Sequence, residues 1–359
     1  MNKTNLTSVG VFGTAKNTGK TTTLLALTDH TIKRGYQVGL TSIGYDGEHF
    51  DNITGLPKPR YNLSPGVVIA TAEKTLPEDD SIYKALVKTG IETALGEIWI
   101  IQVVKPSFFI LAGPTQTKYI YQVLKLMNDY GIDFVFIDGA LNRLVPMAAA
   151  NGVVMATGAS KSTDIGKLST ETQAIHQMFQ VPHLNSRDMP KLVTAETING
   201  ERINLLSKSI LVKEDLSLLT EKLLNESIKR IYIPGFIAMD LMRELKDHLE
   251  PGTEIVLHDI TRFLVSGDTN ELIHLYFEIQ QKLNLKTFQK IKFYGITVNP
   301  YYPLYRFETG QYEPAYVDKN ELYTQIKAAV NVPVCDVCTT GCREIMEALK
   351  EHNQKRIRR

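Results

Sequence analysis

The chain has 359 residues and a formal net charge of +1, because 40 Lys and Arg are balanced by 39 Asp and Glu. That balance argues against a broadly basic nucleic-acid or membrane surface as the main business of the molecule, and a 43% hydrophobic, 22% charged composition is that of a globular chain rather than a disordered one. The length allows two or three domains. No apolar run approaches the ~18–20 residues that span a bilayer, and the N-terminus enters a strand almost at once, without a secretory signal. With only three cysteines, a cytoplasmic location is expected. The basic end, Lys355–Arg359, reads as a solvated, frayed tail.

In chain order, Thr7–Phe12 reads as a buried strand and Thr21–Lys33 as a helix, with Leu24, Leu25, Leu27 and Ile32 at helical spacing. Gln37–Ser42 is a second strand, followed by an acidic loop, Ile43–Asp51, and an irregular stretch, Gly55–Arg60, broken by two prolines. Gly66–Thr71, Ile98–Val103 and Phe108–Gly113 are strand-length apolar runs. Thr117–Tyr130 reads as a helix, Phe134–Asp138 as a strand ending in an acid, and Gly152–Thr157 as another strand. Strands with few polar positions imply burial on both faces. Their alternation with helices implies a mostly parallel α/β sheet.

The texture changes at 192–219, where Thr194–Asn204 places a polar turn between short strand-like runs, as in a small antiparallel insertion. The α/β rhythm then resumes: strand Arg230–Gly235, helix Ala238–His248, apolar runs Glu254–His258 and Arg262–Val265, and helix Glu271–Leu283. A late strand, Lys292–Asn299, a helix, Leu322–Ala329, and a short strand, Pro333–Asp336, end the series. The division expected is 1–190 for a nucleotide-binding domain, 191–228 for an insertion or linker, and 229–359 for a C-terminal α/β part able to complete the first sheet.

Between the first strand and helix stands Gly13-Thr-Ala-Lys-Asn-Thr-Gly-Lys-Thr-Thr22. Strand, small-residue loop and helix together are the context of a phosphate-binding P-loop. Such a loop points successive backbone N–H groups into one concavity, and the helix adds its positive N-terminal end. Gly13, Thr14, Lys16, Asn17, Thr18, Gly19, Lys20, Thr21 and Thr22 are the nucleotide-binding candidates. Lys20 carries charge to the β- and γ-phosphates, and the Thr21 hydroxyl is placed to ligate Mg²⁺. Five residues lie between Gly13 and Gly19, rather than the usual four.

Asp138, at the tip of an apolar strand and before Gly139, fits a Walker B acid that holds Mg²⁺ directly or through water. The competing reading is a cap for the next helix. Asp46, Glu48 and Asp51 follow the second strand; Asp46, then Glu48, are the candidates to orient an attacking water, against a solvated acidic loop. Gly113-Pro114 is either a second switch or a plain turn. Asn299, before Pro300, can pair with the adenine edge or make an Asx turn. No Asn-Lys-x-Asp element is present, which favours ATP over GTP. Cys335, Cys338 and Cys342 are all the cysteines, spaced for a Zn²⁺ or iron–sulfur site or simply for partly buried thiols.

The opening Gly-Thr-x-x-x-x-Gly-Lys-Thr pattern resembles dethiobiotin synthetase and the cobyrinate amidases, within the MinD-like (SIMIBI) P-loop class. That class places a signature lysine five residues before the P-loop lysine; here Ala15 stands there and Lys16 is one place off. Gly13–Thr22, Leu40–Glu48, Gly55–Arg60, Ile69–Glu73 and Phe136–Leu141 together resemble the KamB-like reactivating-factor ATPase subunit associated with lysine 5,6-aminomutase and ornithine 4,5-aminomutase. The resemblance implies a three-layer P-loop NTPase fold and an Mg-ATP-driven role. Its implied partners are an adenosylcobalamin-dependent aminomutase and a second reactivase subunit, with neither nucleic acid nor membrane. In the wider class, asparagine at the position of Asn299 reads the purine. Two-fold dimers are common there, so a homodimer is one expectation. An ATP-dependent ligase or kinase of the dethiobiotin synthetase type and a non-hydrolysing nucleotide sensor are the alternative functions.

Overall fold

A computed structural model describes residues 6–45, 61–186, 188–223 and 226–357. The chain forms two compact units, Met1–Thr172 with Phe293–Arg359, and Gln173–Lys292. The division differs from the one expected at 190 and 228: the chain leaves the first unit earlier and returns to it at 293.

The first unit opens with β1 (Thr7–Gly13), wholly buried, and α1 (Lys20–Ile32), which turns Thr23, Leu24, Leu27, Thr28 and Thr31 inward. Then come β2 (Val38–Ser42), β3 (Tyr61–Leu63), β4 (Val68–Ala72), β5 (Tyr83–Thr93), β6 (Gly96–Val103) and β7 (Ser107–Phe109). In α2 (Thr117–Asp129) the residues Ile120, Val123, Leu124 and Met127 form one apolar face, at the spacing that brings side chains together on a helix. β8 (Phe134–Ala140), β9 (Gly152–Gly158) and α3 (Ile165–Phe179) follow.

The second unit holds β10 (Thr194–Thr197), β11 (Arg202–Asn204), α4 (Lys213–Leu223), β12 (Ile228–Ile233), α5 (Met239–His248), β13 (Glu254–Leu257), α6 (Thr261–Leu264), α7 (Thr269–Lys282) and β14 (Asn284–Thr287). Its sheet runs β11-β10-β12-β13-β14. The β10–β11 hairpin is antiparallel, as its polar turn suggests, and β12, β13 and β14 run parallel. Most of the apolar run Arg262–Val265 lies in helix α6, and Asp259, just before that helix, ties its first residues together. The Asp259 carboxylate is fully buried and accepts from Thr261 N at 3.0 Å and from the Thr261 hydroxyl. His258 Nδ1 and Arg262 Nε lie 2.9 and 3.1 Å from its other oxygen.

Burial alone raises the Asp259 pKa, but the His258 and Thr261 hydrogen bonds and the Arg262 charge outweigh it and hold the group below the usual carboxylate range. A depressed native pKa means stability that is complete above the unfolded value of ~3.9 and lost as pH falls through the native value. Asp259→Asn should therefore cost about 3 kcal/mol at pH 7. The gap to the parent, measured by urea unfolding, should narrow in acid. A gap that is constant down to pH 3 would contradict this account.

After the second unit, β15 (Lys292–Asn299) returns to the first, followed by the hairpin β16 (Tyr301–Arg306) and β17 (Gln311–Tyr316), α8 (Lys319–Ala329), β18 (Val334–Cys335) and α9 (Arg343–Ile357). The large sheet has the order β18-β15-β9-β1-β8-β2-β4-β6-β5. The pairs β1–β8, β1–β9, β2–β8, β2–β4 and β15–β18 are parallel, while β4–β6 and β5–β6 are antiparallel. The fold is thus mixed α/β with a large, mostly parallel sheet, and its antiparallel edge was not expected. The expected strand Phe108–Gly113 shortens to β7, because the Thr71 hydroxyl takes up its continuation, donating to Ile110 O (2.9 Å) and accepting from Ala112 N (2.8 Å). Among the described residues, no helix is long and apolar enough to cross a membrane.

Candidate functional site

The parallel strands β1 and β8 are neighbours inside the large sheet, in register Val11 to Asp138 and Gly13 to Ala140, so the loop after β1 and the acid on β8 meet at the strands' carboxyl ends. Carboxyl ends of parallel strands are where α/β sheets bind ligands. The loop is tightly built. A Cβ on Gly13 would sit 2.7 Å from Thr18 Oγ1, which itself donates to Ala15 O at 3.0 Å. Thr14 N donates to Ala156 O, and the Thr14 and Thr157 hydroxyls are 3.0 Å apart, which ties the loop to β9. Asn17 and Gly19 take left-handed conformations, φ 62° and 85°. These reverse the chain into α1.

Helix α1 receives no side-chain cap, and its first turn carries no acid. Its leading N–H groups thus have the character of an anion site. Thr21 is half-buried there; Lys16, Asn17 and Thr22 are exposed. Lys20 folds across to β8, with Nζ 3.0 Å from Asp138 Oδ1 and 3.1 Å from Oδ2. The carboxylate is 12% exposed. Tyr61, from β3, donates to Oδ2 at 2.6 Å, whereas Oδ1 is buried and faces the Lys20 ammonium at 3.0 Å. This suits a magnesium site: the Lys20 ammonium stands on an oxygen of Asp138 that the phenol does not take, and the Thr21 hydroxyl lies in the first turn of the helix beside it.

Asn299 ends β15 against this loop. Its Nδ2 donates to Asn17 O at 2.9 Å, and its Oδ1 accepts from Tyr301 N at 3.1 Å, an Asx turn over Pro300. Both ends of the amide are engaged, so reading a base edge requires exchanging one of these bonds. The Thr23 and Thr297 hydroxyls, 2.6 Å apart, form a second link between α1 and β15. Gly113-Pro114 packs on the end of β2: Gly113 N donates to Ser42 Oγ at 2.9 Å, and a Cβ on Gly113 would lie 1.9 Å from Ser42 O. Asp46, Glu48 and Asp51 lie outside the described residues.

The sequence matches no family model and no curated protein. The geometry is what speaks for a function.

The structure joins Gly13, Lys20, Thr21, Asp138 and Asn299 at the carboxyl ends of β1, β8 and β15 and the start of α1. It also places Tyr61 there, which sequence reasoning missed. Tyr61 lies 77 positions from Asp138, in a three-residue strand just beyond a proline-broken stretch. The alternation of buried Tyr61, exposed Asn62 and buried Leu63 was the one available signal.

The three cysteines are not assembled as a metal-holding group; among the described residues no cluster of three or more His, Cys, Asp or Glu has such an arrangement. Cys335 and Cys342 are buried in the core with Ile345 and Met346, and Cys342 Sγ contacts Ala26 O at 3.3 Å, while Cys338 is exposed. Burial pushes both core thiols up to about 11. Since the thiolate is the reactive species, iodoacetamide at pH 8 should label the folded chain at Cys338 alone, and the unfolded chain at all three cysteines. Mass spectrometry checks this; rapid labelling of Cys335 or Cys342 in folded protein would contradict it.

Proposed function

We propose that this chain is a P-loop nucleoside triphosphatase of the MinD-like class that couples Mg-ATP binding and hydrolysis to the remodelling of a partner enzyme. The partner is an adenosylcobalamin-dependent aminomutase, acting with a second reactivase subunit in the cytoplasm. One observation carries the nucleotide reading: Lys20 and Asp138 meet at the ends of adjacent parallel strands, beside the uncapped start of α1. The mutase partner rests on the sequence resemblance in the first unit.

In this reading the loop amides bind the phosphates and Lys20 leaves Asp138 for the β- and γ-oxygens. Thr21 and Asp138 would hold Mg²⁺, which would supply charge neutralisation at the phosphates. Asn299 holds Asn17 and keeps the loop in shape. Movement of Lys20 and of its carboxylate partner is a local charge event able to bias a larger switch. The test is reactivation: inactivated mutase, the second subunit and ATP, with this chain or with its Lys20→Ala variant. The intact chain should restore mutase turnover and hydrolyse ATP faster in its presence. Equal rescue by both proteins overturns the nucleotide mechanism, and turnover that needs a small-molecule phosphate acceptor instead of the mutase points to a kinase or ligase.

A further inference from the structure

We infer that Tyr61 is a positioning residue that turns Asp138 so that its Oδ1, rather than Oδ2, is offered to the metal; the inference rests on the nucleotide reading above. The two partners of Asp138 differ in kind. Lys20 carries three rotatable donors on a flexible stem and is 27% exposed. Tyr61 is a rigid phenol, 7% exposed, on a strand held antiparallel to β7 with Tyr61 opposite Phe109 and Leu63 opposite Ser107. Lys20 is free to follow an arriving phosphate, and Tyr61 is not.

Once Lys20 departs, Oδ2 still accepts the phenol hydrogen at 2.6 Å, and Oδ1, which faced the ammonium at 3.0 Å and receives nothing from the phenol, is left open. Without the phenol the carboxylate's terminal torsion is soft and roughly two-fold, so neither oxygen is favoured. The bond also leaves a buried carboxylate with a neutral donor after its cation has gone, which limits the cost of stripping Lys20 away. Tyr61 belongs to β3, so the same contact ties the metal-holding acid to the β3–β7 ribbon.

Outer partners of metal-holding groups typically change metal affinity about 10–100-fold when removed. Calorimetry of the full chain with a non-hydrolysable ATP analogue, in Mg²⁺ and again in EDTA, reads this directly. Tyr61→Phe keeps the ring and its packing and removes only the hydroxyl. It should weaken binding about tenfold in Mg²⁺ and leave binding in EDTA unchanged. The Tyr61→Phe effect should vanish in an Asp138→Asn background, which a loss through misfolding would not do.

Equal or tighter Mg-nucleotide binding by Tyr61→Phe overturns the inference, as does an equal loss in EDTA or a loss that persists with Asp138→Asn. A parent protein with no affinity for the analogue under either condition removes the nucleotide reading itself, and this inference with it. The two failures are therefore distinguishable.

Discussion

Lys20→Ala should reduce ATP turnover about 10²–10³-fold, the usual consequence of deleting one charged donor from a preorganised phosphate site. The ammonium stands 3.0 and 3.1 Å from the two oxygens of Asp138, on the first residue of α1. Stability should change less. The variant leaves a mostly buried carboxylate supported chiefly by the Tyr61 phenol, a defect worth about 1–3 kcal/mol. Circular dichroism and urea unfolding separate the two effects. A folded Lys20→Ala protein with parental turnover would remove Lys20 from the chemistry. Lys20→Arg should not rescue fully, since a planar fork on a longer stem cannot reproduce a compact point charge in a tight loop.

Gly158→Ala should be nearly as damaging, through the backbone. A Cβ at 158 would lie 2.1 Å from Asn299 O and 2.9 Å from Asn299 C. Main-chain atoms cannot rotate out of the way, so β15 must move. Asn299 O also accepts from Ala159 N at 2.9 Å, and Asn299 Nδ2 holds Asn17 O, so the shift passes into the phosphate loop. Overpacking of this kind costs about 1–3 kcal/mol. Nucleotide affinity should fall at least tenfold, because Asn17 loses the bond that holds its left-handed turn. Matching loss in a folded Asn299→Ala protein would place the effect on this contact; undiminished affinity in both variants would exclude it.

The parts of this site that were legible in the sequence are those whose signal is local. Gly13–Thr22 announces itself because residue size and order dictate the loop. Asp138 is visible because four apolar residues precede it, and Lys292–Asn299 is bounded as its hydrophobic run suggests. What stayed hidden depends on distant partners. β5 alternates weakly, with Lys84, Ala85, Lys88 and Gly90 exposed, as an outer antiparallel strand does, and its register shifts twice. Tyr61 has no motif; its meaning comes from an acid far along the chain. The cysteine spacing suggested a metal site; Cys335 and Cys342 are buried in the apolar core with Ile345 and Met346, and Cys338 is exposed, a separation the spacing alone does not reveal. The return of a C-terminal part to the first sheet was expected, and β15 and β18 make it; the limits of the units were not, because the chain crosses at 172 and 293 inside regular α/β rhythm, where a linear reading has no break to mark.

That rejoining bears on biosynthesis. Asn17 and the amide that secures it are separated by 282 positions. On a ribosome, the phosphate loop emerges early and must wait, without its clasp, while the whole of the second unit is translated. Domains tend to acquire structure in the order they are made, but here the first to appear is among the last to close. A nascent chain stalled before residue 292 would carry every glycine and lysine of the motif and still lack the strand whose Asn299 holds Asn17, so the loop's final shape is set only after that strand is made.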